Sequence, residues 1–307
     1  MVTTLPHSYN YDTILKTAHR VTWRIEDIIG GEKRLDFTKP FMPESLAGIQ
    51  NIQCLNEQEK LILNQIRGNS YLYLFGVVEE FILPLVLDHV KQSGTEDIMA
   101  TQAFLCFAEE EGKHINLFRR FAEEFRVGFE TPCVCIGPAK AIGEAVLQHS
   151  PLGVALVVLQ VEWMTQRHYL DSVQANQDLD PLFCSLLKHH WLEEAQHAKL
   201  DALMVEAIAQ NLDDASIQQG IDDYFAIGKF LNDGLMVQVQ LDIESLQAAT
   251  GRSFTQAEKQ EIKTAQEKSY CWTFQGSGMT HPNFVRTLSE LSETAVVRLA
   301  ETIKAMQ

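Results

Sequence analysis

Two segments of this chain carry the same spacing of an acid and a histidine. Glu111 is followed three residues later by His114, and Glu194 is followed three residues later by His197. Three residues make nearly one turn of an α-helix, so both side chains of each pair project from one helical face. The repeated pattern predicts two helices that each present a carboxylate and an imidazole to a shared interior.

Isolated acids occur in two other segments with helical periodicity. Glu162 is the only acidic residue in residues 153–164, and Glu79 and Glu80 are the only acidic residues in residues 71–87. A charge inside so apolar a helix is costly unless it is paired or bound to a metal ion. These segments therefore predict two further helices that each contribute one carboxylate.

Helical periodicity decides between the two adjacent acids of the earlier segment. At about 100° per residue, Glu80 lies almost directly above Ile62, which belongs to the apolar stripe of the same helix. Glu79 lies about 100° away, toward the edge of that stripe. Glu80 is therefore the predicted inward carboxylate.

His190 is a further candidate ligand, because it precedes Glu194 by four residues and His197 by seven. That spacing puts its side chain on the same helical face. The alternative is a position behind the ligands or in the core, which the same spacing also allows. The neighbouring His189 points about 100° away and is not predicted to be a ligand. Other acids of these helices are interpreted as solvated charges, namely Glu109, Glu110, Glu123 and Glu124.

Phenylalanines share the helical face of Glu111 and His114. An acid and an imidazole make a poor apolar core, but they suit a ligand pair in a dry, partly hydrophobic pocket. The phenylalanines of this stripe are Phe104, Phe107, Phe118, Phe121 and Phe125.

The periodicity of the whole chain is helical, and strand patterns are nearly absent. No repeat and no polar linker divides the chain. The sequence predicts one all-α domain over residues 1–307, with a four-helix core at about residues 56–211 and additional N-terminal and C-terminal helices. Asn56, followed three residues later by Glu59, is a predicted helix cap, and Pro181 opens the last core helix.

The order Glu, Glu-x-x-His, Glu, Glu-x-x-His on four helices is that of ferritin-like di-iron and di-manganese proteins. Four carboxylates and three imidazoles suit iron(II) or manganese(II) better than copper or zinc. The sequence therefore predicts a ferritin-like bundle holding two iron ions, with manganese as the alternative. The predicted ligands are Glu80, Glu111, His114, Glu162, His190, Glu194 and His197.

Charge and hydropathy limit the partners. The chain has 41 acidic and 25 basic residues and a formal net charge of −16, which disfavours nucleic acid and anionic membrane surfaces. No apolar run approaches the roughly 18 residues of a membrane span, and the first thirty residues hold no signal-peptide core. The six cysteines are interpreted as reduced thiols, so we expect a cytoplasmic protein.

The ligand spacing over residues 70–205 resembles the para-aminobenzoate N-oxygenase family of non-haem di-iron oxygenases. The extra histidine of the last core helix, His190, carries this resemblance within the ferritin-like class. The resemblance implies that the seven predicted side chains bind two irons that react with O2, and that a small organic molecule is oxidised. No Gly-x-Gly-x-x-Gly segment follows a strand, so an external electron donor is expected.

Two other functions are compatible with the same residues. One is iron handling by a ferroxidase without an organic substrate, although helices beyond residue 216 argue mildly against a ferritin cage. The other is a non-catalytic helical protein whose Glu and His residues form buried ion pairs. A homodimer is a further possibility, because the apolar residues of segment 35–46 are suited to packing on a partner or on the chain's own core.

Overall fold

The computed structural model describes residues 9–306, and none of these residues is in a β-strand. Three short helices come first: α1 (Tyr11–Ala18), α2 (Ile25–Ile28) and α3 (Glu44–Ala47). The central helices are α4 (Glu57–Ser93), α5 (Ile98–Phe129), α6 (Ala139–Val146), α7 (Pro151–His168) and α8 (Pro181–Ala209). The last helices are α9 (Asp214–Thr250), α10 (Gln256–Cys271), α11 (Ser277–Met279), α12 (Pro282–Leu291) and α13 (Glu293–Ala305). The all-α prediction is confirmed.

Two of the sequence predictions depend in part on residues outside the described range. The predicted domain 1–307 includes residues 1–8 and 307, and the interpretation of the N-terminus as free of a signal peptide also depends on residues 1–8.

Two π-helical turns, Tyr169–Val173 and Trp272–Gly276, extend α7 and α10. Such turns are often found near functional sites.

Local sequence sets where the core helices begin. Asn56 Oδ1 accepts a hydrogen bond from the Glu59 amide at 3.0 Å, and Glu59 Oε2 accepts one from the Asn56 amide at 2.9 Å. This reciprocal pair is the predicted cap of α4. Pro181 occupies the first turn of α8, where a missing amide hydrogen costs nothing, and Asp180 accepts from the Phe183 amide at 2.6 Å.

Helix α9 packs against both α7 and α4, whereas α4 and α7 touch each other much less. α9 therefore covers the groove between α4 and α7. The crossing of α7 and α9 is close because both helices have a glycine there. A Cβ on Gly220 would lie 2.7 Å from Leu152 Cδ2, and a Cβ on Gly153 would lie 2.6 Å from Asp223 Cβ.

Segment 35–46 packs on the chain's own core. The ring of Phe41 stacks on Phe183 with centroids 5.5 Å apart, and its exposed fraction is zero. The amides of Phe41 and Met42 donate to Asn64 Oδ1 at 2.7 and 2.9 Å. Of the two predicted roles for this segment, the structure shows the intramolecular one.

The span Glu57–Gln92 is the one helical stretch among residues 9–306 that is long and apolar enough to cross a membrane. Its most apolar window has a mean hydropathy of 1.6, and 61% of that window is buried inside the protein. The same composition is expected of a helix that forms the centre of a bundle, so this property alone does not indicate a membrane protein.

Candidate metal centre

Four helices bring a set of acids and imidazoles together in the middle of the bundle. Their exposed fractions lie between 0 and 4%. α4 contributes one carboxylate, α5 a Glu-x-x-His pair, α7 one carboxylate, and α8 a second Glu-x-x-His pair with one more histidine. The side chains are Glu79, Glu111, His114, Glu162, His190, Glu194 and His197. This is the ferritin-like arrangement of ligand-bearing helices.

Glu194 lies at the centre of the cluster. Its Oε1 atom is 3.0 Å from His114 Nδ1, 2.9 Å from His190 Nε2 and 3.4 Å from His197 Nδ1. Glu111 Oε1 lies 2.9 Å from His197 Nδ1 on one side, and Glu79 Oε1 lies 2.9 Å from His190 Nε2 on the other. One carboxylate thus connects three imidazoles and two further carboxylates.

The cluster divides into two overlapping groups of four residues. Within each group the candidate ligand atoms lie within 4.8 Å of one another, and His114 and Glu194 belong to both groups. The first group adds Glu79 and His190, and the second adds Glu111 and His197. Two overlapping groups of this kind can hold two metal ions.

The choice of Glu80 as the inward acid of α4 is corrected by the structure. Glu80 Oε1 accepts a hydrogen bond from Arg119 Nη2 at 2.9 Å, and a third of the Glu80 side chain is exposed. Glu79 is 3% exposed and contacts His190. The side chains differ because adjacent helical residues point about 100° apart, so only one of them faces the interior.

Unpartnered polar atoms point to a metal rather than to a finished hydrogen-bond network. The buried atoms without a hydrogen-bond partner include Glu79 Oε2, both carboxylate oxygens of Glu111, His114 Nδ1, Glu162 Oε2, Glu194 Oε1 and His197 Nδ1. Buried polar groups in native proteins are nearly always satisfied, since an unmet one costs roughly 1–3 kcal/mol. The carboxylate oxygens carry lone pairs, and each imidazole nitrogen offers one once its proton is released, so the donor set fits two hard or intermediate divalent cations.

Two carboxylates behind the cluster hold the histidines, and sequence reasoning missed both. His114 Nε2 donates to Glu193 Oε2 at 2.8 Å, and His197 Nε2 donates to Glu110 Oε2 at 2.8 Å. Glu110 is 7% exposed, so its interpretation as a solvated charge was wrong. The signal was present in the sequence, because each Glu-x-x-His is preceded by a second glutamate.

The two outer carboxylates leave the Nδ1 atoms of His114 and His197 facing the centre. A histidine that donates through Nε2 to a carboxylate keeps the Nδ1 lone pair available for a metal. Lys113 Nζ forms an ion pair with the other oxygen of Glu193 and lies 4.0 Å from the centroid of the Trp23 ring. Trp23 in turn stacks on His114 with centroids 6.0 Å apart.

Glu162 lies beside Glu194 but outside both four-residue groups. Asp201 is 1% exposed, its Oδ2 atom has no hydrogen-bond partner, and its charge acts on Glu162. Asp201 was not predicted, although it follows His197 by four residues and so shares its helical face. Burial raises the pKa of Asp201, like that of Glu162, well above its usual range.

Charges in the cluster are distributed unequally. Burial and the nearby charge of Glu111 raise the pKa of Glu79 to about 8, although the hydrogen bond from His190 opposes the rise. Burial also raises the pKa of Glu162 well above its usual value, and the nearby charge of Glu194 adds to the effect. Burial would raise the pKa of Glu194 too, but the charges of His190 and His197 hold it well below its usual value.

Burial and the neighbouring carboxylates act in opposite directions on the pKa values of the imidazoles. Burial alone would lower the pKa of His190, but Glu194 and Glu79 raise it to about 9. His114 and His197 are likewise raised well above the usual pKa of histidine, because carboxylates on both sides outweigh burial. Without a metal the imidazoles retain protons, and a divalent cation would have to displace those protons.

Aromatic rings exclude water from the cluster. The ring of Phe107 stacks on His197 with centroids 4.0 Å apart, and the His190 ring packs edge-to-face with Phe118 and Phe75 at centroid distances of 5.1 and 5.7 Å. Phe107 and Phe118 belong to the predicted stripe of α5, so the expectation of dry surroundings agrees with these contacts.

The helices and side chains define a ferritin-like di-metal carboxylate site. No protein-family model matches the chain, and no curated protein sequence matches it. Solved structures with a similar path of helices include a point mutant of an R2-like ligand-binding oxidase with an aerobically reconstituted Mn/Fe cofactor, at 12% identity and a TM-score of 0.48. Another point mutant of an R2-like ligand-binding oxidase, with an aerobically reconstituted Fe/Fe cofactor, matches at 13% identity and a TM-score of 0.45. Each match covers 88% of this chain and 94% of the other chain.

Matches with identities and TM-scores this low support no conclusion about this chain. The assignment of the metal centre therefore rests on the side chains of this chain alone. The narrower resemblance to para-aminobenzoate N-oxygenases stays a prediction.

Proposed function

We propose that this protein is a di-metal oxidase or oxygenase that uses O2 to oxidise a small organic molecule. The observation that carries the proposal is the convergence of unpartnered buried atoms from α4, α5 and α8 on one point, with Glu162 of α7 beside Glu194. The proposed ligands are Glu79, Glu111, His114, Glu162, His190, Glu194 and His197. Glu79 takes the place that the sequence assigned to Glu80.

The donor set favours iron or manganese. Its carboxylate oxygens suit hard divalent ions, while its three imidazoles add affinity for iron. Four carboxylates balance the charge of two divalent cations, which compensates the burial of those charges. Held by these residues, a reduced metal pair would supply electrons to O2, and an external donor would restore them.

The chain's own residues would position and protect this chemistry. Glu110 and Glu193 hold the imidazoles of His197 and His114 in one tautomer, with Nδ1 toward the centre. Glu194 contacts all three imidazoles and belongs to both four-residue groups, so it would help to hold both ions. The rings of Phe107 and Phe118 keep bulk water away from the reacting side.

The proposal is tested first by metal analysis. Full-length protein reconstituted anaerobically with Fe(II) should bind about two ions per chain, the load of a four-helix di-metal site. Glu111→Ala and Glu194→Ala should lose most of this metal. Glu123→Ala, at an exposed position of α5 where the partner is Arg126, is the matched control and should keep it. A wild-type protein that binds no iron or manganese would leave a helical protein with buried ion pairs.

A second measurement separates oxidase chemistry from iron storage. The Fe(II)-loaded protein should consume O2 and change its visible absorption, and its mass in solution should be that of a small oligomer. A large cage that accumulates an iron mineral would instead favour the ferroxidase alternative. We also propose a cytoplasmic location, which the six unpaired cysteines support.

A further inference from the structure

Two adjoining cavities lie on the flank of the bundle where α9 covers the groove between α4 and α7. The inner cavity has a volume of about 60 Å³ and the outer one about 560 Å³. Ile136, Ile142 and Leu231 line both of them, so the two cavities are neighbours across a common wall. Phe230 and Val237, which are 43% and 55% exposed, lie at the outer cavity.

The inner cavity reaches the helices that carry the two single carboxylates. Its lining includes Val78 on α4 and Val161 on α7, which immediately precede Glu79 and Glu162. It also includes Phe75, whose ring meets the ring of His190 with centroids 5.7 Å apart. Phe75 and Glu79 are four residues apart and therefore neighbours on one face of α4. The ring of Phe75 thus separates the cavity from the metal centre.

The residues that line the two cavities disfavour a charged ligand. Among the described residues of the inner lining, Gln275 has the only polar side chain, and its Nε2 donates to Gly228 O at 3.5 Å. No Lys, Arg or His is found among the described residues that line either cavity, and the outer one contains Asp233. Asp233 is itself paired with Lys229 Nζ at 2.6 Å. A carboxylate inside the passage would have no cationic side chain among the lining residues, which is costly in an apolar surrounding.

We propose that these cavities form the substrate passage and that the substrate is an uncharged molecule whose reacting part is a hydrocarbon group. The inference rests on the proposed oxidase function, because a cavity beside the cluster receives a substrate only if the cluster does chemistry. It differs from the aminobenzoate substrate that the sequence resemblance implies, since an aromatic carboxylate carries the charge that these walls do not accommodate.

Binding of an uncharged apolar probe tests the passage directly. N-phenyl-1-naphthylamine, whose fluorescence rises in apolar surroundings, is titrated into full-length protein as purified and after metal removal. We expect saturable binding in both forms. Ile136→Trp at the shared wall and Leu235→Trp in the inner cavity should each raise the probe's Kd at least about tenfold, because the added ring removes buried apolar contacts. Leu105→Trp, at a position of α5 that is 47% exposed, is the matched control and should leave Kd unchanged.

A competition experiment tests the charge preference. 1-Octanol and octanoate have the same chain length and differ in charge, and each is used to displace the probe from the wild-type protein. Octanol should displace it at a concentration at least about tenfold lower than octanoate, since tenfold corresponds to the modest penalty of one unpaired charge near the protein surface.

Each outcome decides the proposal. Unchanged probe affinity in Ile136→Trp and Leu235→Trp proteins that keep wild-type circular dichroism would overturn the passage. If one variant does not fold, the other decides. Octanoate that competes as well as octanol would overturn the uncharged substrate. Because the probe is also titrated without metal, failure here is distinct from failure of the metal centre, which metal analysis of the same wild-type preparation reports.

Discussion

The Nε2 atom of His114 on α5 donates a hydrogen bond at 2.8 Å to Oε2 of Glu193 on α8. The relationship is reciprocal across the bundle, because His197 on α8 donates to Glu110 on α5 at the same distance. In each case the glutamate directly before one helix's ligand pair holds the histidine of the other helix. The two Glu-Glu-x-x-His segments therefore orient each other's ligands.

Removing one of these outer carboxylates should weaken metal binding without removing a ligand. We expect Glu193→Gln and Glu110→Gln each to lower Fe(II) or Mn(II) affinity by about 10–100-fold, the usual effect of losing such a partner. Anaerobic metal titration measures it. Glu109→Gln, at an exposed neighbouring position, serves as the control and should keep wild-type affinity. Equal affinity in all three variants would show that the outer carboxylates do not tune the site.

The adjacent acids of α4 provide a matched pair for the ligand assignment. Glu79→Gln should lose bound metal, because it removes a charged oxygen from the buried cluster. Glu80→Gln should bind as the wild type does, since it loses only a partly exposed ion pair with Arg119, worth about 0–1 kcal/mol. Metal content after desalting distinguishes the two variants. Retention by Glu79→Gln together with loss in Glu80→Gln would restore the assignment made from periodicity.

Acid should destabilise the protein through His168. Its ring is buried between the Tyr71 hydroxyl at 2.8 Å and Ser277 Oγ at 2.9 Å, and burial lowers its pKa to about 3. The unfolded chain takes up this proton below about pH 6.5 and the folded protein only near pH 3, so stability falls as pH drops through that interval. At pH 5 the expected loss from this group is about 2 kcal/mol.

Denaturant unfolding at pH 7 and pH 5 measures this contribution. The free energy of unfolding of His168→Gln should differ less between the two pH values than that of the wild type. The variant should be less stable than the wild type at pH 7, because it lacks the hydrogen bonds of the imidazole. His19→Gln changes an exposed histidine and should keep the wild-type pH response. An undiminished response in His168→Gln would mean that other groups cause the acid sensitivity.

The crossing of α7 and α9 should tolerate no side chain at Gly220. A Cβ there would lie 2.7–2.8 Å from three atoms of Leu152, so Gly220→Ala should destabilise the fold by about 1–3 kcal/mol through overpacking. Gly112→Ala is the matched control. No atom lies within 4 Å of a Cβ at Gly112, and alanine inside a helix is favoured by roughly 0.5–1 kcal/mol. Chemical denaturation should thus give changes of opposite sign.

Local sequence patterns were sufficient to predict much of the fold. Caps such as Asn56 with Glu59 depend on contacts three residues apart, and the Glu-x-x-His pairs depend on a single helical turn. Interactions of such short range are determined by spacing alone. The same reasoning missed Trp23, because its stacking on His114 joins residues ninety-one positions apart, and no local pattern marks that contact.

The error at Glu80 has a related cause. Eighteen residues separate Ile62 from Glu80. A helix wound to pack in a bundle drifts by about 20° per seven residues from an ideal straight one, or about 50° over this length. That is half of the angle between adjacent side chains. Extrapolation along one helix therefore cannot decide which of two neighbouring acids faces inward.

By itself, the sequence determined that the chain is helical, that two helices each carry a Glu-x-x-His pair, and that two more carry isolated acids. Those features depend on helical periodicity and on the cost of charge in an apolar helix. Only the tertiary structure decided that Glu79 faces the cluster, that Glu110 and Glu193 hold the opposite histidines, and that α9 lines two adjoining apolar cavities. Each of these depends on how separate helices rotate and pack against one another, and that arrangement is settled by the whole core at once.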